Sequence, residues 1–216
     1  MVCFCFLICV INLTTVGCST KLFNRDRPVA TPATIELMDV SQEPQQLNTY
    51  TVPGFTIKGT KGIFKVSPVA EYRITAMIIA IKEYTSDWNS QISPMDLALV
   101  WGGLAKADYD TYIEYEQRGR WYYYKYNNKN PFDGRYITSH SANNHIIPAT
   151  ENLKKILAML KVKQTVLLEG YLVNVTGIYD GKEVWWNSSL IREDSGDGAC
   201  ELIYVKKIVV NGLVYQ

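Results

Sequence analysis

The chain has 216 residues, with 22 Lys and Arg against 21 Asp and Glu, a formal charge of +1 and a pI near 7.6. That balance leaves no electrostatic footprint for nucleic acid, so a DNA- or RNA-binding role is excluded from the reading. A hydrophobic content of 47% with 20% charged residues is the composition of a globular domain. Of the five cysteines, Cys3, Cys5, Cys9 and Cys18 precede residue 19 and Cys200 stands alone in the body, so the fold rests on its core rather than on an internal disulfide.

Residues 1–18 carry no charged side chain. Phe4, Phe6, Leu7, Ile8, Val10, Ile11 and Leu13 form an apolar run, followed by Thr15-Val16-Gly17-Cys18. Such a run is short for a membrane span but suits the core of an export signal. The Thr-Val-Gly-Cys tetrapeptide resembles a bacterial lipoprotein box, with Thr15 where an aliphatic residue is usual, and makes Cys18 the candidate for lipidation. The basic residues Lys21, Arg25 and Arg27 follow the apolar run, the arrangement of an uncleaved anchor. Lipoprotein, cleaved soluble product and retained anchor all stay open. Residues 19–49, with Pro28, Pro32 and Pro44 and no sustained periodicity, read as a tether, and 50–216 as a single domain.

In the body, Phe55–Lys58 and Ile63–Val66 alternate across Gly59 and Gly62, which predicts a hairpin, and the alternation over Tyr72–Ile81 predicts a long strand. Ser93-Pro94-Met95-Asp96 has the form of a helix start, with Leu97, Val100, Trp101 and Leu104 following at helical spacing. Arg120–Tyr126 is β-rich in composition. Thr150 caps a second helix, Glu151–Leu160, with Leu153, Ile156, Leu157 and Leu160 on one stripe. Strands follow at Val166–Val175, Val184–Leu190 and Ala199–Val210, with turns at Asp180-Gly181 and Asn211-Gly212. The expected fold is α+β: a twisted antiparallel sheet, or a small OB-like β barrel, with two packed helices.

The stretches YRITAMIIAIKEY (72–84), SPMDLALVWGGL (93–104), SHSANNHIIPA (139–149), LLEGYLVNV (167–175) and SSLIREDSGDGACELIYVKKI (188–208), in this order, resemble a family of uncharacterised bacterial proteins that are often exported or membrane-tethered. Asn144 and Ile146 depart from the pattern, where Met and Leu would be expected. The resemblance implies a bacterial origin and one continuous domain, not a mechanism.

The densest polar cluster is Ser139–His145, which holds both histidines, His140 and His145. Their spacing puts them on one face of neither a helix nor a strand, so only an irregular loop would bring both rings to one metal. The bland reading is a loop held by local Asn and Ser hydrogen bonds. Cys200 with one histidine, oriented by Asn143 or Asp194, would form a thiolate–imidazole pair, against a buried inert thiol. Asp194 and Asp197 in the Gly-rich acidic loop are candidate metal ligands, against a solvated turn. Trp121, Tyr122, Tyr124 and Tyr126, with Asn143 and Asn144, are candidate partner contacts, because one face of an aromatic strand is free to stack on a ligand.

These features give an exported envelope protein, membrane-tethered through its N-terminus and facing the periplasm or exterior. It acts as a binding or assembly module for another envelope protein or a glycan. The alternative is an envelope hydrolase or metal-dependent enzyme that uses the His140/His145 loop. No cofactor is identified by the sequence.

Overall fold

The structure, a computed structural model, describes residues 27–33, 38–49, 51–106, 111–194, 196 and 198–216. The leader with Cys18, and Asp197, lie outside the described residues. No helix among those described is long and apolar enough to cross a membrane.

The fold is mostly β, 51% strand and 12% helical, which corrects the α+β expectation. In chain order the elements are β1 (Thr31–Pro32), β2 (Gln45–Asn48), β3 (Phe55–Lys58), β4 (Gly62–Glu83), β5 (Met95–Val100), β6 (Ile113–Arg118), β7 (Trp121–Tyr126), α1 (Gly134–Ser139), β8 (Ser141–Pro148), α2 (Glu151–Leu157), β9 (Thr165–Tyr179), β10 (Lys182–Asn187), β11 (Glu201–Val210) and β12 (Leu213–Tyr215). Among the described residues, ten strands form one sheet along the path β1-β12-β11-β8-β5-β4-β9-β10, with β2 and β3 pairing β4, while β6 and β7 form a separate two-stranded arm. A large mixed sheet thus replaces the small barrel and the all-antiparallel sheet of the expectation: β8 and β11 run parallel.

The helix expected at 94–104 is the strand β5. All six of its residues are buried, because it lies between β4 and β8 and is covered on both faces. A strand buried on both sides reads as a nearly continuous apolar run, and Leu97 and Val100 within it, with Trp101 just after it, fall on helical spacing by coincidence. The second helix is present, with the Thr150 hydroxyl accepting from the Leu153 N–H at 3.2 Å. Its Leu153, Ile156 and Leu157 are buried, each contributing about 2 kcal/mol of burial.

The frame is β4, 22 residues long. It pairs antiparallel with β9 from Gly62↔Tyr179 to Met77↔Thr165, and its register shifts at Pro68/Ala70. That shift lets the strand hold Pro68, which has no N–H to give a ladder. β9 also pairs with β11, so the sheet curls back on itself there. Gly170 marks the tightest approach: a Cβ would lie 2.0 Å from the Tyr204 carbonyl oxygen.

Inside the curl lies the main core, with Tyr72, Ile74, Ile78, Leu97, Leu99, Trp101, Leu168, Leu172 and Ile203, closed by α2. A second cluster, including Phe64, Val66, Val173, Val175 and Leu202, packs against Trp88 and Trp186. A third, with Met77, Val100, Leu104, Ile113 and Ile137, seats the arm.

Candidate functional site

Ser139–His145 is not an irregular loop. Ser139 and His140 end α1, and from Ser141 the chain is the buried strand β8, paired with β5 and β11. Strand alternation then divides the polar residues. Asn144 points between Ala142 and Ile146 and is fully buried, its Nδ2 donating to the Leu97 and Ala142 carbonyls. Asn143 and His145 point to the other face, toward the arm.

That face carries a buried charge centre built around Arg120. The β6–β7 turn is Gly119-Arg120, both with positive φ (58° and 68°), the geometry of a tight hairpin turn. The Arg120 guanidinium donates to both Asp87 carboxylate oxygens at 2.8 and 2.9 Å, to Asp96 Oδ1 at 2.8 Å and to the Ser93 carbonyl at 3.0 Å. It also lies over the Tyr84 ring, 3.8 Å from its centroid. Burial works against charge on Asp87, but the hydrogen bonds and field of Arg120, with the Ser90 N–H, outweigh it and hold that carboxyl below its ordinary range. His145 Nδ1 lies 2.8 Å from Asp96 Oδ1, outside aligned hydrogen-bond geometry, and the ring packs on Trp186. Arg120 thus latches the arm to the sheet.

His140 is held elsewhere. Its ring stacks on Tyr136 with centroids 3.8 Å apart, Nδ1 sits 2.9 Å from Ser139 Oγ and 3.0 Å from the Tyr136 carbonyl, and Nε2 is 3.1 Å from Glu43. Glu43 also accepts from the Trp101 indole N–H at 2.9 Å. The two histidines therefore do not share a site. Among the described residues no group of three His, Cys, Asp or Glu side chains converges on a metal position.

What does converge is a cleft of about 170 Å³ between the arm, β8 and the chain entering β11. Trp121, Tyr122 and Tyr124 form the arm wall, and Asn143, Arg192, Asp194, Cys200 and Glu201 line the opposite side. Neither histidine lines it. Tyr126 is exposed at the far end of the aromatic row, stacked on Tyr124. Tyr122 packs between Tyr115 and Tyr124, and the Tyr124 hydroxyl meets Thr138 Oγ1 at 2.8 Å. Asn143 joins the two walls: its Nδ2 donates to the Arg120 carbonyl at 3.1 Å and reaches Cys200 Sγ at 3.8 Å, while its Oδ1 accepts from Gln117 at 2.6 Å.

Two residues that the motifs did not flag, Arg192 and Glu201, carry the polar chemistry of the cleft. They form a close ion pair, and Arg192 extends over the Tyr72 and Trp101 rings. Burial raises the Glu201 carboxyl to about 7 against the opposing pull of Arg192. The signal was available: a glutamate opening the otherwise apolar run Leu202–Val205 is a charge that has to find a partner. Burial likewise pushes the Cys200 thiol up to about 12, so it stays protonated at neutral pH and is a poor nucleophile. Asp194 accepts from the Ser189 hydroxyl.

No family model, no curated protein and no solved structure matches the chain.

Proposed function

We propose that the chain is an exported bacterial envelope protein whose β-rich body is a binding module, with the arm cleft as its site and an envelope glycan as its ligand. One observation carries this reading. Trp121, Tyr122 and Tyr124 line one side of a single small cleft whose other side carries Asn143, Arg192 and Asp194. Flat apolar walls opposite a few fixed polar groups suit a sugar ring, which has an apolar face and hydroxyl edges. A cleft this size, below the roughly 300–1,000 Å³ of drug-sized sites, takes one sugar unit of a longer chain. The protonated thiol of Cys200, and histidines held outside the cleft, favour binding over nucleophilic catalysis.

The test is sedimentation of the full chain with purified murein sacculi, with a soluble N-acetylglucosamine trisaccharide as competitor. Trp121→Ala should weaken binding about tenfold, the loss of one aromatic contact of about 1.4 kcal/mol, while His140→Ala leaves it intact. Wild-type protein that ignores both sugars, or a Trp121→Ala variant that binds as well as wild type, refutes the reading.

Glu201 supports one second reading, an envelope hydrolase. A cleft carboxyl poised near 7 with Asp194 beside it is the pairing a glycosidase needs. Release of new reducing ends from sacculi, abolished in Glu201→Gln, would establish it.

A further inference from the structure

A different part of the sheet has an exposed face with no role in the fold. At the β3–β4–β9–β10 end, alternation splits each strand cleanly. Phe55, Ile57, Phe64, Val66, Val175, Val184 and Trp186 turn inward to the second core cluster. The outward set is Thr56 and Lys58 on β3, Ile63 and Lys65 on β4, Thr176 and Ile178 on β9, and Glu183 and Trp185 on β10, all exposed. The register places Ile63 directly opposite Ile178, and Thr176 between Lys65 and Trp185. Ile63, Ile178 and Trp185 are 58%, 48% and 72% exposed, so three large apolar side chains stand together in water. Lys58 and Lys65 flank them on the face, and Lys61 and Lys182 extend from the adjoining turns; Asp180 and Glu183 are the acids nearby.

We propose that this face docks on an anionic lipid bilayer. The apolar members are one indole and two branched aliphatic chains. An indole prefers the boundary between headgroups and acyl chains, and isoleucine enters the acyl region but gives a sugar no flat platform. The lysines outnumber the acids and extend from the same end, which complements phosphate headgroups rather than a neutral glycan. Each lysine has a long apolar stem that lies along the surface while its ammonium reaches a headgroup. The face is separate from the arm cleft, so the inference stands or falls independently of the glycan reading.

The test uses the full chain with phosphatidylglycerol-rich vesicles and with pure phosphatidylcholine vesicles, at low and high salt. Because an N-terminal anchor would itself hold the chain on vesicles, the readouts are specific to the face. Brominated lipid should quench tryptophan fluorescence in the wild type, and most of that quenching should vanish in Trp185→Phe. The triple variant Lys58→Glu, Lys61→Glu, Lys65→Glu should lower the salt-sensitive part of partitioning by about a hundredfold, at roughly fivefold or more per lysine. All four positions are exposed, and an unchanged thermal melt verifies folding. Quenching and partitioning that are unaffected by these variants overturn the proposal, since attachment then runs through the N-terminus alone. Self-association without lipid, abolished by Trp185→Ala, also overturns it and assigns the face to a second copy of the chain.

Discussion

Removing the Arg120 guanidinium tests whether one side chain holds the arm to the sheet. Asp96 is fully buried; Arg120 bonds one of its oxygens, and the other has no aligned hydrogen bond among the described residues. Arg120→Ala leaves that carboxylate with no guanidinium, and only the poorly aligned His145 and the Tyr84 hydroxyl beside it. Breaking a buried ion pair from one side costs about 3–5 kcal/mol. Asp87, whose side chain is 33% exposed, can rehydrate, so the lower half of that range is expected. Urea unfolding of Arg120→Ala should therefore give a loss of about 3–4 kcal/mol, and its melting temperature should fall by about 6–16 °C at the 2–4 °C per kcal/mol typical of this chain length. Arg120→Gly should do better than alanine by about 1 kcal/mol, because glycine adopts the left-handed turn without strain. Adding Asp96→Asn to Arg120→Ala should recover part of the loss, since the uncompensated charge is then gone. A variant Arg120→Ala within about 1 kcal/mol of wild type, or no recovery from Asp96→Asn, would refute the latch.

Two further outcomes concern the cleft. Glu201 has a folded-state pKa near 7, raised by burial from 4.5, so its contribution to stability is complete below about 4.5 and is lost as pH rises through 7. Wild-type stability should fall by a few kcal/mol, to order of magnitude, over that window, and Glu201→Gln should flatten the profile in paired denaturation curves at pH 5 and 8; a wild type whose stability is flat or rises over that interval would contradict the burial argument. Cys200, with its thiol at about 12, should react with iodoacetamide at pH 8 about a thousandfold more slowly in the folded chain than in denaturant, read by mass mapping of the Cys200 peptide. Comparable rates in the two states would count against a half-buried, protonated thiol.

What could be read from the sequence follows the range of the interactions. The hairpins at residues 55–66, 179–187 and 208–215 were legible because local turn chemistry sets them: Asp180-Gly181 and Asn211-Gly212 all adopt positive φ. β5 was not, because burial on both faces erases the period-two signal that marks a strand. The Asn-rich stretch looked like a loop because polar residues in the middle of a sheet are rare, and only β11, some sixty residues away, pairs with it in parallel. Half of the aromatic site was visible as composition. Its other wall, Arg192 and Glu201, becomes legible once a buried charge is asked for its partner, and Arg120 becomes so only when Asp87 and Asp96 are brought to the turn in space.

The pairing of β4 with β9 also governs when this protein can fold. Its partners are roughly ninety to a hundred and twenty residues apart in the chain, so closing that ladder carries a large loop entropy before any contact offsets it. β3 and β5 can zip onto β4 early, but the ladder along its other edge, from Gly62 to Met77, comes from the last quarter of the chain. Until then a long apolar strand stands with an open edge, able to pair with another chain. A polypeptide that completes its sheet only at the end leaves one edge of β4 unpaired for most of its synthesis.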